Sequence, residues 1–241
     1  MCVAAIAWMA DPRWKLVVIG NRDEYHARPA APLARWPDSP VIAGRDLQAG
    51  GTWLGVNDTG RFGLVTNYRV EGYPLPHLAS RGELVTNWLT GQPLGDLAGM
   101  NPFNLILTGP DGAEFVTNHP EPVRTPLPPG IHGLSNGAFN QPWDKTRKLE
   151  TALADWLDGD APSDTLFAPL ADRSLSTARS ADGPAPEFSG VFIANAVYGT
   201  RCSTVITVDH AGHGTIIERR FAPDGMATGE TALSFEWQSH L

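Results

Sequence analysis

Paired strand signals stand at both ends of this chain, and its helix signals lie between them. At the start, the apolar runs 2–9 and 14–20 flank Asp11-Pro12-Arg13, a turn signal, and read as a hairpin. Near the end, strands are expected at 189–194, 202–209 and 214–221, the last two joined through His210 to His213. Further strands are expected at 41–44, 51–56 and 61–67, the last pair joined by the strong turn Asn57-Asp58-Thr59-Gly60. Two more, 103–109 and 113–118, meet across Gly109-Pro110-Asp111-Gly112.

A helix is expected from near Ser80, where Ser80 and Glu83 form a capping-box pattern before Leu84, Val85, Trp88 and Leu89. A second is expected from about Pro142 to Asp158, because Leu149, Leu153, Trp156 and Leu157 fall on one helical face. A weaker helix is expected at 163–171, and 172–187 reads as a long loop. There is no internal repeat and no linker between two cores, so residues 1–241 are expected to form one domain. Hairpins from both chain ends with helices between them suit an α+β fold better than a parallel βαβ protein. The expected architecture is a four-layer αββα sandwich of two mainly antiparallel sheets between helices.

Bulk properties narrow the function. Hydrophobic residues are 42% and aromatics 9%, enough for a sizeable core. Eighteen basic against 26 acidic residues give a net charge of −8, which argues against nucleic acid or an anionic membrane as the main partner. Two cysteines, Cys2 and Cys202, make no disulfide framework and suit a reducing compartment. The first twenty residues carry no secretory pattern. No apolar run approaches the roughly 18 residues of a membrane span. A soluble cytoplasmic protein is expected.

Metal chemistry has little support. Only His210 and His213 lie close in sequence, in a turn beside glycines, and CxxC and HExxH are absent, so no metal site is expected. The run Gly50-Gly51-Thr52-Trp53-Leu54-Gly55 lacks the spacing of a nucleotide loop and reads as a tight turn leading into a strand.

Cys2 carries more. If Met1 is removed, one residue presents both a thiol and its own α-amine. An amine with a reference pKa near ~8 can act as general base for a thiol near ~8.5. Asn21-Arg22-Asp23-Glu24 then places charge at the end of an apolar strand. Arg22 there is suited to hold a substrate carboxylate, to stabilise a thiolate or to pair with Asp23. Asn67, Asn136 and Arg201 also stand at ends of apolar runs. Neutral asparagine amides make good oxyanion donors when a sheet holds them in place. Together with Cys2, these residues are read as one site.

Asn21-Arg22-Asp23-Glu24, Gly51-Thr52-Trp53-Leu54-Gly55, Thr66-Asn67-Tyr68-Arg69, Gly133-Leu134-Ser135-Asn136 and Tyr198-Gly199-Thr200-Arg201 resemble, in order, the NRDE family. It is also called the transport and Golgi organisation protein 2 family, and the resemblance spans residues 2 to about 221. That family is in turn similar to the cysteine N-terminal nucleophile (Ntn) hydrolases, such as bile-salt hydrolase and penicillin V acylase. Those are αββα sandwiches that cleave amides without a cofactor. The resemblance implies Cys2 as nucleophile, Asp23 as the group orienting its amine, Asn67 and Asn136 as oxyanion asparagines, and Arg201 as the late arginine near the nucleophile. It gives Cys202 no role. One departure stands out: the hydrolases carry an arginine three residues before the aspartate, where this chain has Gly20. Arg22 is adjacent to Asp23 instead, and strand alternation predicts that it points away from Cys2.

Two functions are expected from this reading. The first is an Ntn-type amidohydrolase or acyl-transfer enzyme acting on a small amide, with no cofactor. The alternative is a non-catalytic carrier of haem or an acyl lipid, since eukaryotic members of the resembled family are linked to haem trafficking and acyl-CoA metabolism. Under that alternative His26 or His77 would be the haem ligand if the fold set either beside the pocket.

Overall fold

The computed structural model describes residues 2–139, 143–176 and 185–237. One sheet is built from β1 (Val3–Trp8), β2 (Trp14–Tyr25), β10 (Gly130–Leu134), β11 (Tyr198–Asp209), β12 (His213–Phe221) and β13 (Ala227–Glu236), in the order β10-β1-β2-β11-β12-β13. The other runs in chain order through β3 (Ala30–Arg35), β4 (Ile42–Asp46), β5 (Leu54–Val56), β6 (Phe62–Asn67), β7 (Phe103–Gly109), β8 (Gly112–Thr117) and β9 (Val123–Pro126). Every ladder between these strands is antiparallel. The helices are α1 (Gly82–Leu89), α2 (Asp144–Leu157) and α3 (Phe167–Leu170), the last preceded by a 3-10 turn at Ser163–Leu166.

Strand alternation explains why the central strands are apolar throughout. Ala4, Ile6, Leu16 and Val18 face the other sheet and meet Leu54, Phe62, Leu64 and Ile106. Val3, Ala5, Val17 and Ile19 face outward and pack on Leu149, Leu153 and Trp156 of α2 and Leu170 of α3. On the second sheet, Val65, Leu105 and Leu107 pack outward on Leu84, Val85 and Leu89 of α1. The central strands of both sheets are thus covered on both faces, giving the expected αββα order. Each fully buried aliphatic side chain contributes about 1.5–3 kcal/mol. A missing helix cap costs about 1 kcal/mol, so packing dominates. The Ser80–Glu83 capping box is accordingly not made: α1 starts after Arg81 with no side-chain cap.

Several strand boundaries differ from the sequence reading. Residues 189–194 form no strand, although Val191, Phe192 and Ile193 are buried. Their backbone groups are satisfied elsewhere. Phe192 N donates to Asp172 O, Val191 O accepts from the Asn21 amide, and Ile193 N donates to Thr200 Oγ1. The strands β3, β9 and β13 were not expected; they are exposed or interrupted by proline, and their apolar pattern is weak. The helix at 163–171 appears as the 3-10 turn followed by α3. The proposed start of the second helix at Pro142, residues 177–184 of the expected loop, and Met1 lie outside the described residues.

Candidate active site

The strand ends that carry the candidate residues gather at one edge of the sandwich. A cavity of about 500 Å³ opens there, lined by both sheets and by the segment 74–82. Cys2, Arg22, Asp23, Asn67 and Arg201 all line it. Asn136 does not.

Cys2 directly precedes β1, whose first pair is Val3 with Asn21. Extending that register sets Cys2 beside Arg22. Ala4, two residues on, faces the second sheet, and so does Cys2. The expectation that Arg22 points away from Cys2 is therefore corrected. Arg22 and Asp23 do face opposite sides, but Cys2 shares the side of Arg22. Burial pushes the Cys2 thiol up, the Asp23 charge adds to that, and the Arg22 charge opposes it. The thiol also makes a long contact, 3.9 Å, to the Asp23 carbonyl oxygen.

Gly20, where the hydrolases carry an arginine, is closely packed. A Cβ there would lie 3.0 Å from Ala4 Cβ and 3.2 Å from the Trp53 ring. A side chain at that position would need β1 and the Trp53 ring to give way by a few tenths of an ångström. Arg22 stands two residues further along the same face.

The Asp23 carboxyl turns toward the helix layer. Thr200 Oγ1 donates to it at 2.7 Å, and Lys145 Nζ of α2 lies 3.9 Å away. Both Asp23 and Lys145 are buried. Desolvation raises Asp23, with Lys145 and Thr200 working against the rise. It lowers Lys145, with Asp23 and Cys2 opposing. Lys145 was missed by sequence reasoning, because a lysine in the first turn of an amphipathic helix ordinarily faces water. Thr200 lies in the Tyr198-Gly199-Thr200-Arg201 segment that carries the family resemblance, but it had no assigned role.

A β-bulge brings in Arg201. The β2–β11 register shifts between Thr200 and Cys202, leaving Arg201 as the extra residue. Its Nη1 donates to the Tyr25 and Arg28 carbonyls at 2.9 and 3.0 Å, holding the turn after β2. Cys202 is buried, and burial pushes its thiol well above its ordinary value.

A chain of hydrogen bonds ties the two sheets together around the site. Ser135 Oγ donates to the Cys2 carbonyl at 2.8 Å. The next residue, Asn136, donates its Nδ2 to the main-chain oxygen of Asn67 at 2.6 Å. Thr66 Oγ1 and the buried Asn104 amide both donate to Ser135 O. Asn67 itself is exposed at the end of β6.

Neither His26 nor His77 lines the cavity, and His26 Nε2 is hydrogen-bonded to Asn195 O at 2.9 Å. Among the described residues no group of three or more His, Cys, Asp or Glu side chains is arranged to hold a metal. Both cysteines are free thiols. No described helix is long and apolar enough to cross a membrane.

The model of the Transport and Golgi organisation 2 family matches residues 1–223. The Transport and Golgi organization 2 homolog of Mus musculus is 30% identical, over 96% of this chain and 97% of its own length. The homolog of Homo sapiens is also 30% identical, with the same coverage, and the Drosophila melanogaster protein is 26% identical over 90% of this chain. The fold is similar to that of a Caenorhabditis elegans N-acylethanolamine-hydrolyzing acid amidase ortholog, with TM-score 0.51 and 10% identity, covering 85% of this chain and 92% of that one. It is also similar to the C2A mutant of conjugated bile acid hydrolase from Clostridium perfringens, with TM-score 0.50 and 10% identity, covering 99% and 97%. At that identity the likeness establishes the Ntn-hydrolase fold alone. The chain belongs to the Transport and Golgi organisation 2 family.

Proposed function

We propose that this member of the Transport and Golgi organisation 2 family is a cytoplasmic Ntn-type amidohydrolase for a small amide, with Cys2 as nucleophile after Met1 is removed. The observation that carries the reading is the position of Cys2. Its thiol faces a cavity of small-molecule size, beside Arg22 and next to the Asp23 backbone.

In the proposed reaction the Cys2 sulfur attacks the amide carbonyl carbon, and the freed α-amine takes the thiol proton. Asn67 donates to the oxyanion from the end of β6. The amine then gives its proton to the leaving nitrogen, the C–N bond breaks, and a thioester remains on Cys2. Water attacks the thioester, again losing a proton to the α-amine. The carboxylic acid departs and the thiol is regenerated. Asp23, held by Thr200 and Lys145, is proposed to orient the amine. Arg201 acts through the turn after β2, and Asn136 acts through Asn67.

The experiment is turnover of a panel of acyl amides by processed wild type and by Cys2→Ala. Loss of turnover with retained folding supports the reading. Equal turnover by the variant removes it.

A second reading, a carrier of an acyl lipid or haem without turnover, has one observation in its favour. Burial raises the Cys2 thiol, and a raised thiol is a poor nucleophile unless a base activates it. His26 and His77 offer no support for haem, because neither lines the cavity.

A further inference from the structure

The cavity concentrates positive charge on an acidic protein. Six arginines line it: Arg22, Arg28, Arg45, Arg81, Arg201 and Arg220. They are a third of the 18 basic residues in a chain of net charge −8. Four carboxylates line it as well, Asp23, Glu24, Asp46 and Glu218.

Local pairing accounts for the carboxylates. Glu24 and Asp46 lie between Arg22 and Arg28. Glu218 accepts from Arg220 and from Leu33 N. Asp23 turns to Thr200 and Lys145. Arg201 is spent on two carbonyls, and Arg45 lies over the Trp36 ring at 4.3 Å.

Arg81 differs. Among the described residues it has no carboxylate within 4.0 Å; its one side-chain hydrogen bond goes to Pro102 O at 3.3 Å. It is half-buried, and that burial brings its guanidinium down to about 10, with the Glu24 carboxylate opposing the drop. Its position is fixed by backbone packing. A Cβ on Gly51 would lie 2.5 Å from Gly82 C, so only glycine allows the 51–52 loop to touch the start of α1. Thr52 N then donates to Gly82 O. Arg81, just before α1, therefore faces the cavity from a rigid base, and the uncapped helix N-terminus adds partial positive charge. Across the cavity wall, Arg22 Nη1 is buried with no hydrogen-bond partner. The segment that leads to Arg81 supplies an apolar wall, with Pro74, Leu75, Pro76 and Leu78 in the lining.

We propose that Arg81 is the recognition group for a carboxylate on the substrate, so that the cavity takes an N-acyl amino acid, its acyl chain against the 74–78 wall. A guanidinium fork matches a carboxylate with two parallel hydrogen bonds, and an arginine held without a carboxylate gains most from one. The inference rests on the amidohydrolase reading for the orientation of the amide toward Cys2. The recognition itself does not need turnover.

The test separates the two. Binding is measured by calorimetry on the full chain carrying Cys2→Ala, with N-octanoylglycine and the neutral N-octanoylglycinamide as probes. N-octanoylglycine should bind at least tenfold tighter. Adding Arg81→Gln should remove that preference while leaving the glycinamide affinity unchanged, and Arg81→Lys should retain part of it. Equal affinity for the two probes, an equal loss of both on Arg81→Gln, or no binding of either at millimolar concentration overturns the proposal. Thermal melts of both Arg81 variants show that they fold. Carboxylate preference through Arg81, with no turnover of the acyl-amide panel by processed wild type, would leave the recognition standing and remove the hydrolase reading alone.

Discussion

Asn136 donates its side-chain amide to the main-chain oxygen of Asn67 across 2.6 Å, joining the end of β10 in one sheet to the end of β6 in the other. The two asparagines thus form one device, in which Asn67 faces the cavity and Asn136 holds it. Asn67→Ala is expected to lower kcat by about 10²–10³-fold, the usual cost of losing an oxyanion donor. Asn136→Ala should lower kcat less. The double variant should be no worse than Asn67→Ala alone, because a residue acting through another adds nothing once that other is gone. Steady-state kinetics on the three variants check this, and additive losses would show that Asn136 acts independently.

Arg22 shares the face of Cys2, and its charge favours the thiolate. In protein that retains Met1, the rate of iodoacetamide alkylation at Cys2 should rise with pH and reach its midpoint above the ordinary thiol value, because burial raises this group. Arg22→Gln should move the midpoint higher still. A midpoint that moves down, or stays put, would show that Arg22 does not act on the sulfur.

The placement of that arginine shows how far the sequence could be read. Alternation along β2 correctly separates Arg22 from Asp23. The side on which Cys2 lies depends on the β1–β2 register, which the turn residues Asp11-Pro12-Arg13 do not specify. The strands 2–9, 14–20 and 61–67 were legible because they are apolar and end in turn signals. The run 189–194 misled for the same reason. It is apolar because it is buried, yet its backbone bonds go to Asp172, Asn21 and Thr200. Lys145 and Arg81 carried no signal, since a charged residue near a helix start is ordinarily solvated. Their importance comes from tertiary burial and from the close approach of Gly51 to Gly82.

The buried pair of Asp23 and Lys145 should make stability depend on pH in a defined direction. Burial raises Asp23 in the folded state above its unfolded value. Its charge therefore costs stability as pH rises through the folded value, and Lys145 offsets that cost. Lys145→Met should destabilise the protein by roughly 3 kcal/mol at neutral pH, the range for breaking a buried pair. The loss should shrink as pH falls and Asp23 protonates. Asp23→Asn with Lys145→Met should recover most of it. Urea melts at pH 5 and pH 8 read both effects; a larger loss at pH 5 would reverse the sign and contradict the pairing.

Cys202 lines the same cavity but is buried, with its thiol raised well above the ordinary value. Near neutral pH a thiol-reactive probe should label Cys2 and leave Cys202 unmodified, as peptide mapping would read. Cys202→Ala should keep turnover within about twofold, since a Cys-to-Ala change removes one atom from a packed site. Labelling of Cys202 in preference to Cys2 would move the reactive centre to β11.

Cys2 is proposed to work as an N-terminal residue, using its own α-amine as base. The most direct measurement compares processed wild type with a variant in which one lysine is inserted between Met1 and Cys2. Intact mass verifies that the insertion keeps Met1 and that the wild type has lost it. With the amine locked in a peptide bond, the inserted variant should be as inactive as Cys2→Ala on an acyl-amide panel, while binding N-octanoylglycine. Turnover by the inserted variant at the wild-type rate would contradict it.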